Sequence, residues 1–187
     1  MLKFQKDTLA WKGNASIPMR LATILLGAAL IGLAAQIKIP LPWTPVPITG
    51  QTFAVLLIGV LWGAQGGALA TIAYLLLGWM GVPFFAGTAG LAGATAGYLV
   101  GFIPAAYFTG LFYNRFAWAK RLPGLILIMV CANFIFIHGT GIIWLGAAAG
   151  LHDLTKLMAL GTLPFISGDL VKIAAAAAVA RSLKSRN

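Results

Sequence analysis

The chain has 187 residues, of which 60% are hydrophobic and 9% charged. A water-soluble domain carries about 25% charged residues because it must present a polar surface, so this composition excludes one and points to lipid as the solvent. The net charge of +10 does not indicate a nucleic-acid partner, because its cations flank apolar runs and read as topology signals and contacts to membrane lipid.

In chain order, residues 1–18 form an N-terminal segment with Lys3, Lys6 and Lys12. Six hydrophobic segments follow, near 19–37, 50–62, 66–80, 94–113, 122–148 and 157–181, and residues 182–187 form a tail. At about 20 residues per crossing, the sequence predicts one all-α integral membrane domain over 1–187, a polytopic protein with a six-helix bundle over about 19–181. The second and third segments are short, and Gly63-Ala-Gln-Gly-Gly67 between them reads as a turn dipping into the bilayer, or the segments tilt. An even number of crossings puts both termini on one side with Arg115, Lys120 and Arg121, leaving Lys38 and Lys156 opposite. That bias predicts cytoplasmic N- and C-termini. The run from Leu21 to Ala35 continues into the multi-span pattern without a cleavage site, so it reads as a span and not a signal peptide.

Two outer connections stand out. Ile39-Pro-Leu-Pro-Trp-Thr-Pro-Val-Pro47 carries four prolines, which fix φ and remove backbone donors, so it is extended and stiff. Gly81 to Gly93 is rich in glycine, which permits close backbone approach. Both are apolar for exposed loops. Either they fold inward as a cover, or they lie at the membrane interface anchored by Trp43 and Phe84. Glycines at a spacing of four, Gly59/Gly63/Gly67 and Gly93/Gly97/Gly101, read mainly as sites of close helix packing within the chain. Ala28, Gly32 and Ala35 make a small-residue stripe in the first segment, either packed internally or a docking face for another membrane subunit. The lone Cys131 cannot form an internal disulfide and reads as a small core or lipid-facing residue.

The last segment holds Leu163-Pro-Phe-Ile-Ser-Gly-Asp169-Leu-Val-Lys172. A charge inside a span costs several kcal/mol unless paired or solvated, so such groups face a bundle interior or cavity. Asp169 and Lys172 are three residues apart and share a helix face. Two readings stand: a structural ion pair, or a site for a ligand with both donor and acceptor groups. Pro164 and Ser167 fit a local helix start that places the pair near the outer boundary. The remaining acids are Asp7 and Asp153, and His138 and His152 lack metal-binding spacing. His138 reads as a packed or hydrogen-bonded helix residue. No nucleophile elbow or phosphate-binding loop is present. The expectation is therefore no enzyme, no metal and no cofactor, with any energy from ATP supplied by a partner.

Three stretches carry a resemblance. Thr44-Pro-Val-Pro-Ile-Thr-Gly-Gln-Thr-Phe-Ala-Val-Leu-Leu57 resembles a signature of the BioY family, the biotin-specific substrate-capture (S) components of energy-coupling factor (ECF) transporters. So does Tyr74-Leu-Leu-Leu-Gly-Trp-Met-Gly-Val-Pro-Phe-Phe-Ala-Gly87, followed by Thr95-Ala-Gly-Tyr-Leu-Val-Gly-Phe102, and the segment with Asp169 and Lys172 resembles the closing motif. The resemblance implies a multi-pass protein of a prokaryotic plasma membrane that binds biotin from outside, under the first and third loops. Biotin is then cargo and not a prosthetic group, its ureido N–H groups suiting Asp169 and its carbonyl Lys172. Trp43, Phe53, Phe85 and Tyr98 are the expected walls, with Thr49, Gln51 and Thr88 adding hydrogen bonds. The implied partners are a membrane-embedded coupling protein and two cytoplasmic ATPases; the alternative is a solitary carrier acting as a homo-oligomer. Between Ala86-Gly87 and Thr95-Ala-Gly97 the chain is several residues shorter than is usual in the family, and Thr-Ala-Gly replaces Thr-Gly-Gly, which leaves a related vitamin as the alternative ligand.

Overall fold

A computed structural model describes residues 16–86 and 90–185. Five helical stretches among them, 17–36, 51–79, 96–115, 122–149 and 154–184, are long and apolar enough to cross a membrane. The first helix, α1 (Ile17–Gln36), starts with proline in its first turn, where a missing N–H costs nothing. One face is buried through Ala28, Ile31, Gly32 and Ala35, while Leu21, Leu25, Leu26, Leu30 and Leu33 point outward. An outward leucine row suits lipid as the neighbouring solvent.

The small-residue stripe of α1 therefore packs within the chain. Ala28 and Ala35 are 0% exposed, and a Cβ at Gly32 would collide with the ring of Phe84. Of the two readings of Ala28, Gly32 and Ala35, internal packing is what this single chain shows: small residues mark a close approach, and at Gly32 what approaches is the Phe84 ring of the same chain.

The helix α2 (Gln51–Trp79) is broken at Gly63, whose φ of +74° few side chains tolerate. Gln51 and Tyr74 lie 23 residues apart in sequence, yet the Gln51 side-chain amide donates to the Tyr74 hydroxyl. A continuous helix would hold them about 35 Å apart, so the halves run antiparallel around the glycine. The glycine cluster thus forms a hairpin, with Gly59 packed on Gly67. Next to it, α3 (Ala96–Arg115) lays Gly110 so close that a Cβ there would stand 2.4 Å from the Ala64 nitrogen.

The connection between α1 and α2 is not helical. Its ends pair as two short antiparallel strands, β1 (Lys38–Ile39) and β2 (Ile48–Thr49), in register Lys38↔Thr49. This small ladder modifies the all-α expectation: the prolines remove donors only from the middle of the loop, and its two ends keep theirs. The second half of the chain has α4 (Leu122–Cys131), a π-helical stretch over Ala132–His138 and α5 (Gly139–Ala149), continuous with one another. Then α6 (Leu154–Gly161) is capped by Asp153, whose carboxylate accepts from the Thr155 and Lys156 amides. A break at Thr162 and a short 3₁₀ turn over Leu163–Phe165 lead into α7 (Ile166–Ser185). Pro164 sits in that turn as expected, whereas Ser167 lies one residue inside α7 and caps nothing.

Candidate functional site

The end of the bundle where α1 meets β1 encloses a cavity of about 450 Å³, within the roughly 300–1,000 Å³ of small-molecule sites. Its floor is Asp169 and Lys172 on the first turns of α7 with His138 from the π-helical stretch. Tyr98, Leu99 and Phe102 of α3 and Gln51 and Thr52 of α2 form walls. The loop 37–50 and residues Phe85, Ala86, Gly90, Gly93 and Ala94 cover it.

The floor is a counted network. Asp169 is 2% exposed, and its Oδ2 accepts from Asn133 Nδ2 at 3.0 Å and from His138 Nε2 at 2.7 Å. Its Oδ1 is 2.6 Å from Lys172 Nζ, and the same ammonium donates to the Thr49 carbonyl at 3.1 Å. His138 Nδ1 lies 3.1 Å from the Gly161 carbonyl at the α6–α7 break, to which Tyr98 Oη also donates at 2.8 Å. The imidazole is sandwiched by rings, stacked on Phe134 with centroids 5.2 Å apart and edge-on to Tyr98 at 5.7 Å.

Counting valences shows what this floor can offer. A carboxylate has about four lone-pair sites and an ammonium three N–H groups. Asn133, His138 and Lys172 occupy three of the carboxylate's sites, leaving one on Oδ1. Lys172 spends two donors on Asp169 and Thr49, leaving one. The floor therefore presents one acceptor beside one donor. The ion pair and a ligand site are not alternatives here, since the pair keeps a spare valence on each partner.

The structure gathers Asp169, Lys172, Thr49, Gln51, Phe85 and Tyr98 around this cavity. Thr49 is reached mainly through its carbonyl, while its hydroxyl donates to Gln51 Oε1 at 2.8 Å. Two expected wall residues, Trp43 and Phe53, do not line it. Trp43 is 61% exposed in the turn at 42–43, while the next residue, Thr44, is buried and donates to the Leu160 carbonyl at 2.7 Å. Phe53 lies two residues from Gln51, about 200° around the helix, and packs on the core beside the cavity. Thr88 falls outside the described residues. Sequence reasoning missed Asn133 and His138 as neighbours of Asp169. Their signal was that polar side chains interrupt the apolar run 122–148.

The cover is tied down by few bonds. Lys38 Nζ donates to the Ala86 carbonyl at 2.8 Å, Gln36 Nε2 to the Pro83 carbonyl at 3.1 Å and Trp144 Nε1 to the Gly93 carbonyl at 2.9 Å. Phe84 and Phe85 fold back over α2, stacking on Tyr74 and meeting it edge-on respectively.

The architecture is that of a polytopic membrane protein built around a solute-sized cavity with a charged floor. This chain belongs to the BioY family, whose model matches residues 7–187. It is 39% identical over 165 residues to the biotin transporter BioY of Thermotoga maritima, covering 83% of this chain and 90% of that protein. The biotin transporter BioY of Rhizobium etli is 34% identical, over 86% of this chain and 90% of its own. Among solved structures, the S-component for biotin from an ECF-type ABC transporter superposes with a TM-score of 0.82 at 25% identity, covering 93% of this chain and 96% of that one.

Proposed function

We infer that this chain captures biotin and carries it across a membrane as the substrate-specific subunit of an ECF-type importer. The observation that supports it most is the floor's adjacent spare acceptor and donor, on Asp169 Oδ1 and Lys172 Nζ. A cyclic urea presents an N–H next to a carbonyl, the complementary pair. Walls from Leu41, Val46, Phe85 and Leu99 suit the fused bicycle and aliphatic tail. In this reading His138 and Asn133 hold the carboxylate still by its other oxygen, and Thr49, Gln51 and Tyr98 shape the pocket. Biotin is cargo, and the curated relatives are named as transporters, not as enzymes.

The break at Gly63 divides the 51–79 stretch into two short crossings, giving six in all, with both termini on the cytoplasmic side of a prokaryotic inner membrane. Supporting this, the Gly63 turn lies beside Asn114 and Lys184 lies over the Tyr113 ring, on the side of Arg115, Lys120 and Arg121. That is the basic side of the positive-inside rule, and the cavity opens on the other. The resemblance in fold to an ECF S-component supports a coupling protein and ATPases as partners.

Titrating purified protein with biotin, desthiobiotin, thiamine and riboflavin tests the ligand. Tight one-to-one binding of biotin, weaker binding of desthiobiotin, which keeps the ureido ring, and none of the others is the expected order. Absence of biotin binding overturns the reading. Uptake into vesicles with and without the ATPase module tests the coupling.

A further inference from the structure

Charge does not balance inside the cavity. Its walls hold Lys38 and Lys172 against Asp169, so the lysines and the carboxylate together sum to 2 − 1 = +1. The described residues carry two carboxylate side chains, Asp153 and Asp169. Asp169 is engaged by Lys172. Asp153 caps α6 and lies 4.0 Å from Lys156. Neither carboxylate neutralises Lys38, whose ammonium donates to the neutral Ala86 carbonyl.

The register of the small ladder aims Lys38 at the cavity. Lys38 is the cross-strand partner of Thr49, and directly paired residues project to the same face. The Thr49 hydroxyl reaches Gln51, itself a wall residue. Lys38 is exposed while Asp169 is buried, so the two charges mark the rim and the floor. Between them the lining includes the apolar Leu41, Val46 and Phe85. A neutral donor–acceptor floor, an apolar middle and a cationic rim describe a ligand with a cyclic-urea head, an aliphatic linker and an anionic end.

We propose that Lys38 is a specificity-determining residue that recognises the free carboxylate of the ligand's tail. The proposal rests on the biotin reading and deepens it: the floor reads the ureido head, and Lys38 separates the free acid from neutral derivatives. A rim ammonium is partly solvated, so its pairing with a carboxylate is worth about fivefold in affinity.

The test compares biotin with its neutral primary amide on the wild-type protein, Lys38→Gln and Lys38→Glu. The wild type binds the amide about fivefold more weakly than biotin. Lys38→Gln weakens biotin by about the same factor and leaves the amide within about twofold, and Lys38→Glu weakens biotin further while sparing the amide. Glutamine retains an N–H for the Ala86 carbonyl, and amide binding reports that each variant is folded. Equal weakening of both ligands in Lys38→Gln reduces Lys38 to a tether between loops and overturns the proposal, as does no change for either. If the wild type binds neither ligand, the biotin reading itself falls and the proposal with it.

Discussion

The floor and the cover of the cavity are built on opposite terms. The floor is formed by helices, and Asp169, Asn133 and His138 are each less than 5% exposed. The cover is a proline-rich loop and a glycine-rich one, held by single hydrogen bonds such as Thr44 to Leu160 and Lys38 to Ala86. A buried polar group that loses its partner costs more than an ordinary hydrogen bond gains. Under the proposed function, recognition of the ligand's head falls to the floor and entry and exit to the cover.

Breaking the floor is expected to give the largest effect. Asp169→Asn keeps the shape of the side chain but leaves the half-buried Lys172 without its counter-charge. Losing one partner of such a pair costs about 2–5 kcal/mol, so biotin affinity falls by about 30-fold or more, read by calorimetry, while circular dichroism reports unchanged helicity. Unchanged affinity in a poorly folded variant would make the floor a mere strut between helices.

Loosening the cover is expected to do less, and to do it kinetically. Thr44→Val removes the hydrogen bond to the Leu160 carbonyl, worth about 1 kcal/mol. Biotin should leave about fivefold faster at a nearly unchanged association rate, seen by stopped-flow fluorescence. An unchanged off-rate would mean that this bond plays no part in retention. The smallest effect belongs to Trp43→Ala. Its ring points away from the cavity, and exposed substitutions stay within about 0.5 kcal/mol, so biotin affinity should shift by no more than about twofold in the same titration.

Legibility in the sequence divides along the same line. Asp169 and Lys172 stand out because charges inside apolar runs are costly, and their one-turn spacing already places them together. The break in α2 was readable from the glycines of 63–67, whereas the first loop, expected to run extended, turns at 42–43 and bends at 45–46 between its paired ends. The orientation of Trp43 was not readable, because it depends on where the neighbouring Thr44 finds an acceptor, and Leu160 lies 116 residues away. Phe53 differs for another reason: it lies about 200° around the helix from Gln51, so the rotation that brings Gln51 to the cavity turns Phe53 onto the core. The stripe of Ala28, Gly32 and Ala35 announced a close contact without saying with whom, and at Gly32 the answer, Phe84, comes from a loop with no periodic pattern.

The π-helical stretch carries a consequence of its own. In a regular α-helix, residues five apart diverge by about 140° in azimuth, so Asn133 and His138 would point to different sectors. The wider i→i+5 winding over Ala132–His138 brings both onto one carboxylate oxygen. The two ligands of Asp169 thus depend on a local surplus of one residue per turn. Excising a residue from this stretch would restore ideal backbone geometry and at the same time separate the amide from the imidazole. Here a more regular helix and an intact carboxylate clamp are mutually exclusive.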